Sequence, residues 1–227
     1  MSDTVLREAD RLSVTVLMDN YTDMLLMQGN ETVRRPMIPP PRWLLAEDGL
    51  SCLVTVGAGT EEHRLLLDTS ISADAVLQNI RLLQVDPATI EAVVLSHGHF
   101  DHAGGLPGLL PWLRPGIPVH LHPDAFLERR QNFPVLDAPV PIPAPDEPSL
   151  RAAGAVPTPS EEPSAVAGGL ALATGEVPRR TGFEHGMPGA EARICAVRQI
   201  LSTSGTWAWA PRSPRPSSAK TKVPTPR

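Results

Sequence analysis

Ser96-His97-Gly98-His99-Phe100-Asp101-His102-Ala103-Gly104-Gly105 is the stretch on which the reading of this chain turns. Three histidines and an aspartate lie within six residues, directly after the apolar run Ala92-Val93-Val94-Leu95. Such a run is expected to be a buried strand, which places the polar cluster at a strand end. In an extended segment alternate side chains share a face. His97, His99 and Asp101 would then converge on one side, with His102 reaching a second point nearby. Neutral imidazole and carboxylate are the ligands that hold zinc, iron or manganese. Asp101 is also of the right type to orient an attacking water or accept its proton. Gly104 and Gly105 let the backbone turn beside the site, where a Cβ would crowd it. A polar turn with incidental histidines is the alternative, and it leaves this ligand set at this spacing unexplained.

His97-x-His99-x-Asp101-His102 followed by Gly-Gly resembles the signature of the metallo-β-lactamase-fold hydrolases. The resemblance implies His97 and His99 on one metal ion and Asp101 and His102 on a second. Zinc is the expected ion, one or two per chain, with iron or manganese as alternatives. Asp68, which closes Arg64-Leu65-Leu66-Leu67, matches the family's aspartate and would hold a ligand histidine in its tautomer. The family usually reads Asp-Thr-Gly there, whereas this chain reads Asp68-Thr69-Ser70. Asp19-Asn20, Leu95-Ser96-His97-Gly98-His99, His122-Pro123-Asp124-Ala125-Phe126 and Gly175-Glu176-Val177-Pro178-Arg179 are similar to a narrower branch. That branch is the dihydropterin ribofuranosylaminobenzene phosphate synthase-like group. The resemblance places His122 near the mouth of the site and His185 in a loop over it, as substrate-facing or supporting groups. For His122, a strand-end histidine bonded to a loop is an equal alternative.

The chain has 227 residues and a formal net charge of -5. That length can bury one good core, and the charge argues against nucleic-acid binding driven by bulk attraction. Cys52 and Cys195 make no disulfide framework or zinc-ribbon spacing, so a reducing cytoplasm is the expected home. No signal peptide is evident at the N-terminus, and no apolar run approaches the ~20 residues that cross a bilayer. A small-molecule substrate is expected, without a membrane or nucleic-acid partner.

Hydrophobic patterning predicts strands over 13–18 and 50–56, with a hairpin return over 63–67. His63, beside Glu61 and Glu62, is expected to be solvated. Ser72 reads as an N-cap, and Ala73, Val76, Leu77, Ile80 and Leu83 give the next helix an apolar face. A strand over 91–95 delivers the histidine motif. A short helix over 106–113 and a strand over 118–121 follow. The Pro-rich stretch 134–163 excludes helix and central strand and reads as an extended or edge segment. Leu170-Ala171-Leu172-Ala173 is the final strand. The pattern is α/β, and the resemblance makes it the N-terminal part of an αββα sandwich.

All acidic residues lie at or before Glu191, and the stretch from Ala192 carries seven basic residues and no acid. Residues 1–190 are thus expected to form an incomplete metallo-β-lactamase-like domain, and 191–227 a disordered basic Pro/Ser-rich tail. The resemblance calls for a third histidine on the first metal and a bridging carboxylate. After His102 only His120, His122 and His185 remain. A natural shortened paralogue and a reading-frame change near residue 190 both account for this. Weak metal binding and poor turnover are therefore expected, as is self-association along an unpaired sheet edge. The competing reading is a non-catalytic truncated paralogue or gene fragment that keeps half of the metal site.

Overall fold

Apolar and β-branched residues between Ser51 and Leu67 build the centre of the molecule, and a computed structural model shows how the rest is arranged around it. The structure describes residues 6–133 and 135–178, together with the backbone of 190–191 and 200–202. Strands β1 (Arg11–Met18), β2 (Ser51–Ala58) and β3 (Glu61–Leu67) form an antiparallel meander, with Gly59-Thr60 as the tight turn between the last two. Gly59 has φ +58°, a conformation that glycine reaches without a steric penalty. The chain then crosses over helix α1 (Ala73–Leu82) into the parallel strand β4 (Ala92–Val94). Helices α2 (Phe100–Ala103) and α3 (Leu106–Leu109) lead to β5 (Pro118–Leu121), parallel to β4.

Two short strands, β6 (Arg129–Gln131) and β7 (Val140–Ile142), pair antiparallel, and helix α4 (Glu147–Ala152) precedes β8 (Val156–Pro159). The main sheet therefore runs β1-β2-β3-β4-β5-β8. Strands β9 (Ser164–Val166) and β10 (Ala171–Ala173) make a hairpin-like pair. Two further short segments are β11 (Ala190–Glu191), beside β6, and β12 (Ile200–Ser202), beside β10.

The central strands of the sheet are buried on both faces. On one, Leu53, Leu66, Val93, Val119 and Leu121 pack with Val76, Leu77 and Ile80 of α1 and Leu106 and Leu109 of α3. On the other, Val54, Val56, Leu65 and Ala92 meet Val166, Ala167, Leu170 and Ala171. Each Val, Leu or Ile among them contributes about 1.5–3 kcal/mol when fully withdrawn from water. Burial on both faces is why β4 reads as Ala-Val-Val without alternation. Helix, sheet and small second sheet are three successive layers of the expected sandwich. Asn79, 1% exposed, bonds through Nδ2 to the Leu17 and Leu45 carbonyls and accepts from Leu45 N–H, tying α1 to β1.

Three expectations need correction. The Pro-rich stretch does contain a helix, α4. Asp146 accepts from Ser149 N–H at its N-cap, and Pro148 sits in the first turn, where its missing N–H has no consequence. Ser72 stands at the N-cap of α1 but makes no capping bond. Its hydroxyl and N–H both donate to Glu47, at 2.6 and 2.9 Å, and that carboxylate stands at the helix start instead. His63 is not solvated. It is half-buried between Glu91, 2.6 Å from Nδ1, and Glu61, 2.8 Å from Nε2. The Glu61 hydrogen bond, then the Glu91 bond, raise its pKa against the effect of burial.

Within the tail, β12 is a strand beside β10. Cys195, Trp207, Trp209 and the rest of the tail lie outside the described residues, as does His185. Cys52 is a buried free thiol whose pKa is pushed up to about 12, by burial first and then by the charges of Asp68 and Asp19. Among the described residues no helix is long and apolar enough to cross a membrane.

Ser70 resolves the altered Asp-Thr-Ser turn. Both Asp68 and Ser70 adopt φ +56°, the left-handed region. The turn is held by Thr69 N–H to the His102 carbonyl at 2.7 Å and Ser70 N–H to the Leu50 carbonyl at 2.9 Å. Ser70→Gly should therefore relieve left-handed strain and stabilise the fold by roughly 1 kcal/mol. The check is the midpoint of chemical unfolding, which should rise with an unchanged slope.

Candidate metal centre

The C-terminal ends of β3 and β4 meet where Asp68 follows one strand and Ser96 the other. Asp68 is fully buried and accepts three hydrogen bonds, all at 2.7 Å: Ser96 N–H and Ser96 Oγ–H, and His102 Nδ1–H. Because the Ser96 proton is committed to Asp68, Ser96 Oγ is left as the acceptor for His97 Nδ1–H at 2.9 Å. This network settles two tautomers. His97 and His102 both carry their proton on Nδ1, leaving a lone pair on Nε2.

Those lone pairs point at common ground. His97, Asp101 and His102 each offer one ligand atom, and the three atoms lie within 4.8 Å of one another. His102 Nε2 is 3.6 Å from Asp101 Oδ2. On the other side of His97, its Nε2 is 3.0 Å from His99 Nδ1. With the His97 proton on Nδ1, this contact is a hydrogen bond that His99 Nδ1–H donates to His97 Nε2, and His99 lies outside the three residues whose ligand atoms converge. The rings crowd accordingly, with centroids 4.6 Å apart for His97–His99 and 4.2 Å for His97–His102. The donor set of His97, Asp101 and His102 suits a metal ion.

Burial is the main force on the two leading histidines. It lowers the pKa of His97 to about 3, with smaller contributions from His102, His99 and Arg129, and it lowers that of His99. Both rings are thus held neutral, the form that ligates. Burial also pulls His102 down, but the Asp68 hydrogen bond and the charges of Asp68 and Asp101 outweigh it and raise the pKa.

The convergence does not come from strand alternation. Beyond Leu95 the chain runs as a loop to His99, then turns helical at Phe100, so Asp101 and His102 project from α2. Gly104 and Gly105 are themselves helical, with φ -65° and -72°. Their need is close approach: a Cβ on Gly104 would lie 2.8 Å from the Ile71 carbonyl, and one on Gly105 would collide with the Thr69 carbonyl.

His122 is buried at the end of β5, where its Nδ1 accepts the Asp124 N–H at 3.0 Å. In the neutral ring the proton then sits on Nε2, which has no lone pair to give a metal. That Nε2–H is buried without a hydrogen-bond partner, the Glu161 carboxylate being 4.0 Å away. It lines a small cleft of about 30 Å³ that also includes Ser96, His120, Thr158, Ser160 and Glu162. His120, beside it, has its pKa lowered by burial, and its Nδ1 is likewise without a partner.

Two functional side chains escaped the sequence reading. Ser96 relays Asp68 to His97, and a serine beside a histidine motif carries no signal of that in sequence. Arg129 carries no spacing signal, because the groups it grips at Gly98, Asp124, Ala125 and Leu127 are backbone carbonyls.

Residues 48–184 match the Metallo-beta-lactamase superfamily. A stretch of 86 residues is 40% identical to 7,8-dihydropterin-6-methyl-4-(beta-D-ribofuranosyl)-aminobenzene-5'-phosphate synthase of Methanocaldococcus jannaschii, covering 38% of this chain and 29% of that protein. An uncharacterized protein of the same organism is 31% identical over 84 residues, covering 37% of this chain and 31% of its own length. The chain thus aligns with about three-tenths of the length of these curated relatives. Among solved structures, Tm1679, a metal-dependent hydrolase of the beta-lactamase superfamily, superposes with a TM-score of 0.49 at 21% identity, over 84% of this chain and 60% of that one. The subclass B3 metallo-beta-lactamase MEM-A1 gives 0.34 at 21% identity, over 56% and 46%. The superfamily match runs over more than half of the sequence and includes the whole histidine cluster, and the chain belongs to the metallo-beta-lactamase superfamily.

Proposed function

We propose that this chain is a metal-dependent hydrolase of a small-molecule substrate, acting through His97, His99, Asp101 and His102. The observation that carries the reading is the convergence of His97, Asp101 and His102 within 4.8 Å, with two tautomers set by Asp68 and Ser96. Zinc, or iron or manganese in its place, would supply a Lewis acid that polarises the scissile bond and lowers the pKa of water. The histidines hold their lone pairs ready because burial keeps His97 and His99 neutral. Asp101 accepts the proton of the attacking water or orients it. His122 offers its buried Nε2–H to an acceptor oxygen of the substrate, which gives the cleft beside Ser96 a donor at its floor. Asp68 holds the imidazoles in register and does not enter the reaction.

The test is hydrolysis of bis(p-nitrophenyl) phosphate, a lactam and a thioester by the full chain loaded with zinc, iron or manganese. Turnover on one of them that a chelator abolishes and added metal restores is the expected result. Full metal loading with no turnover on any of them would favour the non-catalytic reading.

A further inference from the structure

We infer that Arg129 is a positioning residue for the metal centre: by gripping the Gly98 carbonyl, it sets where His99 stands relative to His97. The inference rests on the metal reading above. Arg129 is only 6% exposed, at the start of β6. Its Nη1 donates to the carbonyls of Gly98, Ala125 and Leu127, at 3.1, 3.1 and 3.0 Å, and Nη2 donates to the Asp124 carbonyl at 2.7 Å. A guanidinium withdrawn from water is tolerated only when its donors are well satisfied, and carbonyl oxygens meet that need here.

The placement of these bonds matters more than their number. Gly98 is the residue between His97 and His99, and its carbonyl direction fixes the plane of the peptide that leads into His99. On its other side Gly98 lies flat against Ala125, so tightly that a Cβ would be 2.5 Å from the Ala125 Cα. One nitrogen of Arg129 therefore holds both sides of this contact, the Gly98 carbonyl and the Ala125 carbonyl. The 3.0 Å approach of His97 Nε2 to His99 Nδ1 depends on that peptide plane. Ligand constellations tolerate only about 0.5 Å and 10–20° of error before binding suffers. Lysine has a single nitrogen without the planar fork and cannot reach the same set of carbonyls.

The experiment compares the full chain with Arg129→Lys and Arg129→Gln. Three quantities are read: thermal melting, zinc affinity by competition with a chromophoric chelator, and the metal-free amide spectrum at Gly98 and His99. Arg129→Gln should weaken zinc 10–100-fold, the range typical for residues that orient metal ligands. Arg129→Lys should recover part of that loss, and both should shift the Gly98 and His99 amides before any metal is added. A folded variant with lower melting temperature but unchanged zinc affinity and unchanged Gly98 and His99 signals would overturn the inference and leave Arg129 a purely structural residue. If Arg129→Gln does not fold, Arg129→Lys decides by the same readouts. Failure of the wild-type chain to bind zinc would overturn the metal reading instead, and the metal-free amide shifts would still decide whether Arg129 places His99.

Discussion

His97→Ala and His102→Ala are each expected to lower zinc affinity about a hundredfold. Structural zinc sites with four protein ligands are worth about 10–16 kcal/mol, so one ligand corresponds to about 3 kcal/mol, or two decades in Kd. His97 should show the larger loss of the two. It lies 3.0 Å from His99 Nδ1 on one side and within 4.8 Å of the Asp101 and His102 ligand atoms on the other. Chelator competition on the purified full chain gives the affinities directly. Neither substitution should unfold the protein, because His97 and His102 donate to Ser96 and Asp68 and both acceptors keep other partners.

Asp68 is the opposite case, where the larger effect falls on the fold. Asp68→Ala should destabilise the chain by about 3–5 kcal/mol, the range for removing one partner from a buried charged pair. It would leave three donors, from Ser96 and His102, without the fully buried acceptor that they share. Alanine would also inherit the φ of +56° without the local hydrogen bonds that compensate it. Asp68→Asn keeps the shape but places an amide against donors. It should fold, with zinc affinity lowered 10–100-fold because the His102 tautomer is no longer enforced. Urea unfolding read together with zinc competition separates the two variants. Equal stability of Asp68→Ala and wild type would contradict the account of this network.

Both halves of that network explain what could be read from the chain and what could not. The histidine motif was legible because metal ligands are rare residue types at a distinctive spacing. The β2–β3 hairpin, α1 and β5 were legible because their apolar periods are regular and their turn residues are glycine, proline or aspartate. Asp68 was legible only through the family resemblance, since a lone aspartate after an apolar run has many uses. The geometry of the convergence was not legible: extended alternation groups His97 and His99 with Asp101, whereas a helical turn at Phe100 brings Asp101 and His102 together with His97.

Helix α4 was hidden by its own surroundings. Prolines on both sides outweighed the Asp146 cap, although Pro148 in a first helical turn is permitted. The burial of His63 was not legible, because its partner Glu91 is distant in sequence and becomes a neighbour only when β3 and β4 pair. Arg129 was beyond sequence reasoning for a related cause. The carbonyls of Gly98, Asp124, Ala125 and Leu127 that it grips are main-chain groups, which every residue type carries.

The most direct test of the metal centre is a zinc titration of the metal-free full chain, followed through the side-chain nitrogen signals of its histidines by nuclear magnetic resonance. Saturable binding should move His97, His99 and His102 together and leave the Nε2-protonated His122 and the ion-paired His63 in place. Zinc that leaves the three motif histidines unmoved, or that displaces the His122 proton, would contradict the account.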